Sequence, residues 1–234
     1  CILGWSMLGQ NIIDKTIPFL SKDSEIHFAY KEELVQTYPK IPSQYDIQQK
    51  TTKLSYEQNL DVKKIFSDNK FDIVLIVGYD GVESKEVTDT NTLLLNIYIR
   101  SILDDQKNEK PTRIIIQLND GTKEELVPKN KYNELIVSNT LSSLMISQLA
   151  DNPKLWDVFE ELFNYKGLKI NVSSISKYTN KKDIKSFKIT DLILFALEKN
   201  QIFIGYILND QLYLNPPKHE ELSMNKSLEL VYIG

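Results

Sequence analysis

The sequence predicts an α/β protein: a Rossmann-like, mainly parallel sheet with helices on both faces, then a helical crossover arm and a small α+β C-terminal lobe. Three observations carry this. Short apolar runs alternate with amphipathic stretches through residues 1–138. Two of those runs, in Phe71 to Val77 (FDIVLIV) and Arg113 to Leu118 (RIIIQL), are continuous, as in strands covered on both faces. After residue 139 the rhythm changes to two helical stretches in tandem, followed by short strand-like segments.

The elements follow in order. Cys1 to Trp5 is a short apolar run suited to a buried strand, and Leu8 to Leu20 reads as a helix. Ser24 to Tyr30 (SEIHFAY) alternates in period two and predicts a second strand. Glu32 to Thr37 gives one or two helical turns before Pro39 and Pro42; Ile47 to Leu54 is a polar strand suited to an edge. Tyr56 to Asn69 fits a helix with Leu60, Val62, Ile65 and Phe66 inward. Phe71 to Val77 is the central strand, closed by Gly78. Thr88 to Asp104 carries Leu94, Leu95, Tyr98, Ile99 and Ile102 at helical spacing, Arg113 to Leu118 is a further strand, and Leu135 to Val137 adds a sixth.

Leu141 to Ala150 reads as a helix ending at Asp151. Asn152-Pro153 then supplies a cap and a first-turn proline for a second helix that ends at Gly167. Its apolar stripe is Leu155, Trp156, Phe159, Leu162 and Phe163, which serves equally to pack on a sheet or to grip a second subunit. Beyond it, Leu168 to Ser174 is a strand and Ile189 to Lys199 a helix. Ile202 to Leu208 and Gln211 to Leu214 flank the hairpin signal Asn209-Asp210, and Leu228 to Ile233 closes the chain. The expected division is 1–138 for the Rossmann-like unit, 139–167 for the arm and 168–234 for the lobe.

Composition narrows the function classes. At 234 residues, 41% hydrophobic and 26% charged, the chain can bury a full core without disulfides or a structural metal. One cysteine, Cys1, excludes an internal disulfide framework and every multi-cysteine zinc site; two separated histidines, His27 and His219, do not make a histidine metal centre. A net charge of -4 argues against nucleic acid as a partner, and with only Arg100 and Arg113 there is no arginine cluster for phosphate. No run of about 20 apolar residues is present, so this chain is not expected to insert into a membrane. Starting at Cys1 inside a predicted strand, it is expected to be a piece of a longer protein; a mature lipoprotein is the competing reading.

Candidate sites cluster where strands give way to helices. Gly4-Trp5-Ser6-Met7-Leu8-Gly9 follows a strand and opens a helix, the context of a dinucleotide fingerprint, but Ser6 stands where that fingerprint has its second glycine. Gly4 and Gly9 also serve a tight turn and close packing without any ligand. Glu32, with Glu33 beside it, lies near the end of the second strand, where a ribose-binding acid would sit. Gly78, Tyr79 and Asp80 end the central strand at the edge where open α/β sheets bind ligands. The carboxylates that follow, Glu83, Glu86 and Asp89, could join Asp80 in offering oxygen ligands to calcium; Asp80 and Glu83 are the candidate metal pair. No nucleophile elbow, P-loop or HExxH sequence occurs, so no catalytic residue is assigned and an enzyme is not expected.

The Gly4-Trp5 turn with SEIHFAY, the block LADNPKLWDVFEELF (Leu149 to Phe163) with Gly167 beyond it, and IFIGYILNDQLYLNPP with Gly205-Tyr206 and Asn215-Pro216-Pro217 resemble the cytosolic regulatory domain of CASTOR/POLLUX-type ion channels. The terminal lobe is also similar to that of RCK and TrkA proteins, although Ser227 and Leu228 replace the usual glycine-aspartate turn. The resemblance implies a ligand-sensing domain of a potassium-type or calcium-type cation channel. Such domains pair through their arms into dimers or a gating ring on the cytoplasmic side of a membrane, beneath a pore domain upstream in the same chain. The candidate interface is Leu155, Trp156, Phe159 and Phe163. Calcium or a nucleotide would be the ligand; the family resemblance leaves its identity, the permeant ion and the direction of gating open. The alternatives are a soluble NAD-dependent oxidoreductase and a separate regulatory subunit of a cation transporter.

Overall fold

A computed structural model describes residues 1–55, 58–79, 83–106, 111–127, 133–164, 167–179, 186–223 and 227–234. The chain divides into two compact units, Cys1–Asp151 and Asn152–Gly234.

The first unit is built on six parallel strands: β1 (Ile2–Leu3), β2 (Glu25–Tyr30), β3 (Gln48–Lys53), β4 (Ile73–Ile76), β5 (Arg113–Leu118) and β6 (Asn133–Val137). Their order, β3-β2-β1-β4-β5-β6, is that of a Rossmann sheet, and the chain reverses direction of winding between β1 and β4. Strand alternation sorts the core into two layers. Leu3, Ala29, Val74, Ile76, Ile114 and Ile116 face one way and pack with Val62, Ile65 and Phe66 of α2 (Gln58–Asp68) and Leu95 and Ile99 of α3 (Lys85–Asp105). Ile2, Ile26, Phe28, Tyr30 and Val77 face the other way, under Trp5 and under Ile13 of α1 (Met7–Thr16). Each central strand is thus covered on both faces, which is why its sequence is a continuous apolar run. The polar strand β3 is at the sheet edge, as its residues Gln48 to Lys53 require.

Several boundaries differ from expectation. The first helix stops at Thr16 and continues as a 3-10 turn over Ile17–Phe19, because Pro18 cannot supply the next helical N–H. Glu32 to Thr37 shortens to a 3-10 turn at Glu32–Leu34. Leu60 does not point inward: it is 62% exposed. Within the described residues, α4 (Ser138–Asp151) ends the first unit, and it buries none of its residues.

The second unit's first helix is α5 (Leu155–Phe163), two residues later than a cap at Asn152 with Pro153 in the first turn would give; the Asn152 carboxamide oxygen instead accepts from the Lys154 N–H at 3.2 Å. Its other helix is α6 (Ile189–Leu197). Strands β7 (Ile170–Ser174), β9 (Ile202–Leu208), β10 (Gln211–Leu214) and β12 (Glu229–Ile233) form an antiparallel sheet in the order β10-β9-β12-β7. Asn209 and Asp210 both take positive φ, 52° and 62°, the requirement of a two-residue hairpin whose twist matches its strands. A two-stranded ribbon, β8 (Ser186–Lys188) with β11 (Glu221–Ser223), was not predicted; three polar-flanked residues per strand give periodicity nothing to register.

Candidate functional site

The crevice between the carboxyl ends of β1 and β4 brings together part of the predicted set. Gly4, Lys31, Gly78, Tyr79, Glu83 and Thr88 line a hollow of about 30 Å³. Its walls are set by glycine. Gly4 has φ +80°, and a Cβ there would lie 2.0 Å from the Val77 carbonyl oxygen. At Gly78 a Cβ would lie 2.3 Å from Thr88 Cγ2, so the missing side chain lets α3 approach the end of β4. Gly9 packs under the Trp5 ring, at 3.0 Å for a notional Cβ. Gly4 and Gly78 are therefore used by the packing of the crevice itself, and Gly9 by the packing of α1 on Trp5.

Ser6 caps α1: its hydroxyl accepts from the Gly9 N–H at 3.3 Å, and the residue is buried. With Trp5, Met7, Gln36 and Thr37 it lines a second small hollow of about 60 Å³ at the start of that helix. Hollows of this size admit water-sized occupants, and a dinucleotide needs the walls to move apart. Ser6 and Gly9 do not line the β1–β4 crevice, so the turn and the crevice are neighbouring features.

Tyr79 closes the crevice floor. Its hydroxyl accepts from the Lys31 N–H at 2.9 Å, tying the end of β4 to the end of β2. Burial pushes its phenol up to about 12, with the Lys31 bond opposing, so it stays neutral. Glu32 points elsewhere: it pairs with Lys53 at 2.6 Å and accepts from the Tyr38 hydroxyl at 3.3 Å, in solvent. The Lys53 hydrogen bond is the main reason its carboxyl is held below the usual range. It does not line the crevice.

Glu83 and Asp89, in the acidic stretch after β4, take separate roles. Asp80 lies outside the described residues. Glu83 lines the crevice and accepts from the Asn91 carboxamide at 3.2 Å. Asp89 is fully buried: one carboxylate oxygen accepts from the Asn119 N–H and its carboxamide, and the other from the Asp120 N–H, each at 2.9 Å. Its oxygens are thus committed to the loop after β5, a role that sequence reasoning missed because its donors, two backbone N–H groups and the Asn119 carboxamide, lie about thirty residues away. Among the described residues no group of three or more His, Cys, Asp or Glu side chains could hold a metal. His27 is buried, its Nε2 2.8 Å from the Thr52 hydroxyl; His219 lies in the second unit.

The predicted interface residues are on the surface of α5. Trp156 and Phe163 are 57% and 69% exposed, Leu155 and Phe159 are half-buried, and the Phe159 and Phe163 rings lie 6.4 Å apart. Among the described residues no helix is long and apolar enough to cross a membrane.

Comparison with known proteins gives these features a context. No protein-family model matches the chain. It is 27% identical over 180 residues to a probable ion channel POLLUX of Oryza sativa subsp. japonica, covering 65% of this chain and 18% of that protein. It is 24% identical over 175 residues to the ion channel CASTOR of Lotus japonicus, covering 63% of this chain and 20% of that protein. The chain thus spans about a fifth of the length of these curated relatives. The solved structure of the human SLO3 gating ring matches 100% of this chain and 43% of its own, with a TM-score of 0.66 at 18% identity. In sequence the chain is similar to CASTOR and POLLUX ion channels, and it shares its α/β fold with the human SLO3 gating ring.

Proposed function

We propose that this chain is a non-catalytic, ligand-sensing regulatory domain of a cation channel, held on the cytoplasmic side of a membrane and working as a dimer or gating-ring element. The observation that carries the proposal is a conjunction: similarity to CASTOR/POLLUX channels along 180 residues, together with a fold shared with a gating ring over the whole chain. In this reading residues 1–138 form the sensing unit, 139–167 the arm and 168–234 the terminal lobe, with the pore supplied by a domain upstream. Ligand occupancy of the first unit would bias the assembly, which is a coupling free energy between sensor and pore.

Of the sequence-based ligand set, Gly4, Gly78 and Tyr79 remain with the crevice, joined by Glu83 and by Asp80 as the metal pair; Ser6, Gly9 and Glu32 lie outside it. The narrow hollow and the engaged Ser6 hydroxyl favour a small cation, held with Asp80 and Glu83, over a dinucleotide. An NAD-dependent oxidoreductase would need a seat for the whole cofactor, which this crevice offers only after opening.

A thermal-shift series with calcium, magnesium, NAD, NADH, ATP and ADP tests the reading. A ligand at 100 times its dissociation constant stabilises by about 2.7 kcal/mol, raising the melting point by roughly 5–10 °C in a chain this long. Calcium is expected to give that shift, and Asp80→Asn to abolish it. A shift with NADH accompanied by hydride transfer would establish the oxidoreductase instead. No shift with any of them would remove ligand sensing from the proposal. Two or more apolar stretches of about 20 residues in the upstream coding sequence are expected for a channel; a start codon immediately upstream would mark a separate subunit.

A further inference from the structure

The first backbone N–H beyond β2, that of Lys31, is not paired within the sheet. It donates to a side chain, the Tyr79 hydroxyl, at 2.9 Å. β1 lies between β2 and β4, so a bond from Tyr79, three residues past the end of β4, to Lys31 passes over the carboxyl end of β1. That end is where the winding of the sheet reverses, and open α/β sheets take their ligands in the crevice outside it. An oxygen offered there to a strand-end N–H is what a polar ring ligand would bring. Here the chain brings its own.

The Tyr79 ring is also held by packing. It lies against the buried cluster that contains Ile2, Trp5, Phe28, Tyr30 and Val77, and burial is the main reason its phenol stays neutral. Beside it, Gly78 lets Thr88 of α3 approach so closely that a Cβ would lie 2.3 Å from Thr88 Cγ2, which narrows the crevice from the helix side. What remains is a hollow of about 30 Å³ bordered by Glu83 and Asn91. That is about the share of one water, against the roughly 300 Å³ or more of a small-molecule site.

We infer that Tyr79 is the specificity-determining residue of the crevice: its phenol occupies the seat that a nucleoside ring would take, so the crevice refuses nucleosides and leaves room only for a small cation beside Glu83. A ring ligand would first have to displace the phenol from its packing and from the Lys31 N–H, and that cost falls on the competitor alone. Shortening the side chain therefore turns a refused ligand class into an accepted one. The inference rests on the ligand-sensing reading above and adds what the sensor turns away.

Nuclear magnetic resonance and thermal shift on the 234-residue chain, Tyr79→Phe and Tyr79→Ala test it. In the wild-type chain, millimolar adenosine is expected to move neither the melting point nor the Gly4 and Gly78 amide resonances; movement of those resonances would overturn the inference. Tyr79→Phe keeps the ring and drops the acceptor, so exchange of the Lys31 amide should quicken about tenfold while adenosine is still refused. Unchanged exchange would show that the phenol does not hold that N–H, and the seat is lost. Tyr79→Ala is expected to melt roughly 5–10 °C lower. The excised ring, added as 4-methylphenol, should restore several of those degrees, toluene fewer, and adenosine should now shift the Gly4 and Gly78 amides. A folded Tyr79→Ala that answers neither 4-methylphenol nor adenosine would mean that the phenol fills no seat, which also overturns the inference. Should Tyr79→Ala fail to fold, the wild-type and Tyr79→Phe outcomes decide. These readouts are separate from the cation series: a chain with no calcium shift loses ligand sensing, whereas one that gives the shift and also takes adenosine keeps sensing and loses this inference.

Discussion

Gly4 shows how much one residue can carry. Its φ of +80° is a region that side chains rarely occupy, and a Cβ would overlap the Val77 carbonyl at 2.0 Å. Both penalties fall on the strand pair at the centre of the sheet. Gly4→Ala is expected to cost about 3 kcal/mol or more, lowering the melting point by roughly 6–12 °C by calorimetry. Gly121→Ala is the control: there a Cβ would meet nothing closer than 3.4 Å, and little change is expected. His27 makes a prediction in pH. Burial is the leading reason that its pKa lies below the ordinary value, with nearby Lys50 acting the same way and Glu25 opposing. The unfolded chain therefore binds the proton more readily than the folded one, so His27 contributes stability above its unfolded pKa that is lost as pH falls toward the depressed folded value. Urea midpoints measured from pH 8 down to pH 5 should fall in the wild-type chain, and less steeply in His27→Gln. An equal slope in the two proteins would assign the pH dependence to other groups.

At the scale of elements, the buried carboxylate of Asp89 fastens α3 to the loop after β5. Three donors converge on it, and removing it leaves all three without that partner. Asp89→Ala should destabilise by about 2–4 kcal/mol, and Asp89→Asn by less, since only the Asp120 N–H or the Asn119 pair then faces an amide donor. Amide exchange at Asn119 and Asp120 should quicken in both variants; unchanged exchange would show that the loop is held by something else. Legibility also differed between elements. The buried strands β4 and β5 and the hairpin β9–β10 were plain in the sequence, because continuous apolar runs and an Asn-Asp turn each have one local meaning. Leu60 was assigned inward in error, since helical spacing identifies a stripe but not its width, and it sits at the solvent margin. The ribbon of β8 and β11 joins residues 33 positions or more apart and left no local trace.

At the scale of the molecule, the similarity to CASTOR/POLLUX channels and the gating-ring fold agree with what the order of motifs implied. The sequence by itself determined the class of fold, the two-sided burial of the central sheet and the amphipathic character of α5, because each depends on the period and composition of neighbouring residues. Only the tertiary structure decided which candidate residues share a site. It set Gly4, Gly78, Tyr79 and Glu83 around one narrow crevice, turned Glu32 away to Lys53, and committed Asp89 to backbone donors. It also carried the Tyr79 hydroxyl to the end of β2. The physical reason is the same in each case. Periodicity is a property of one segment, whereas convergence of side chains and the covering of a face depend on strand order and register, which join residues far apart in the chain.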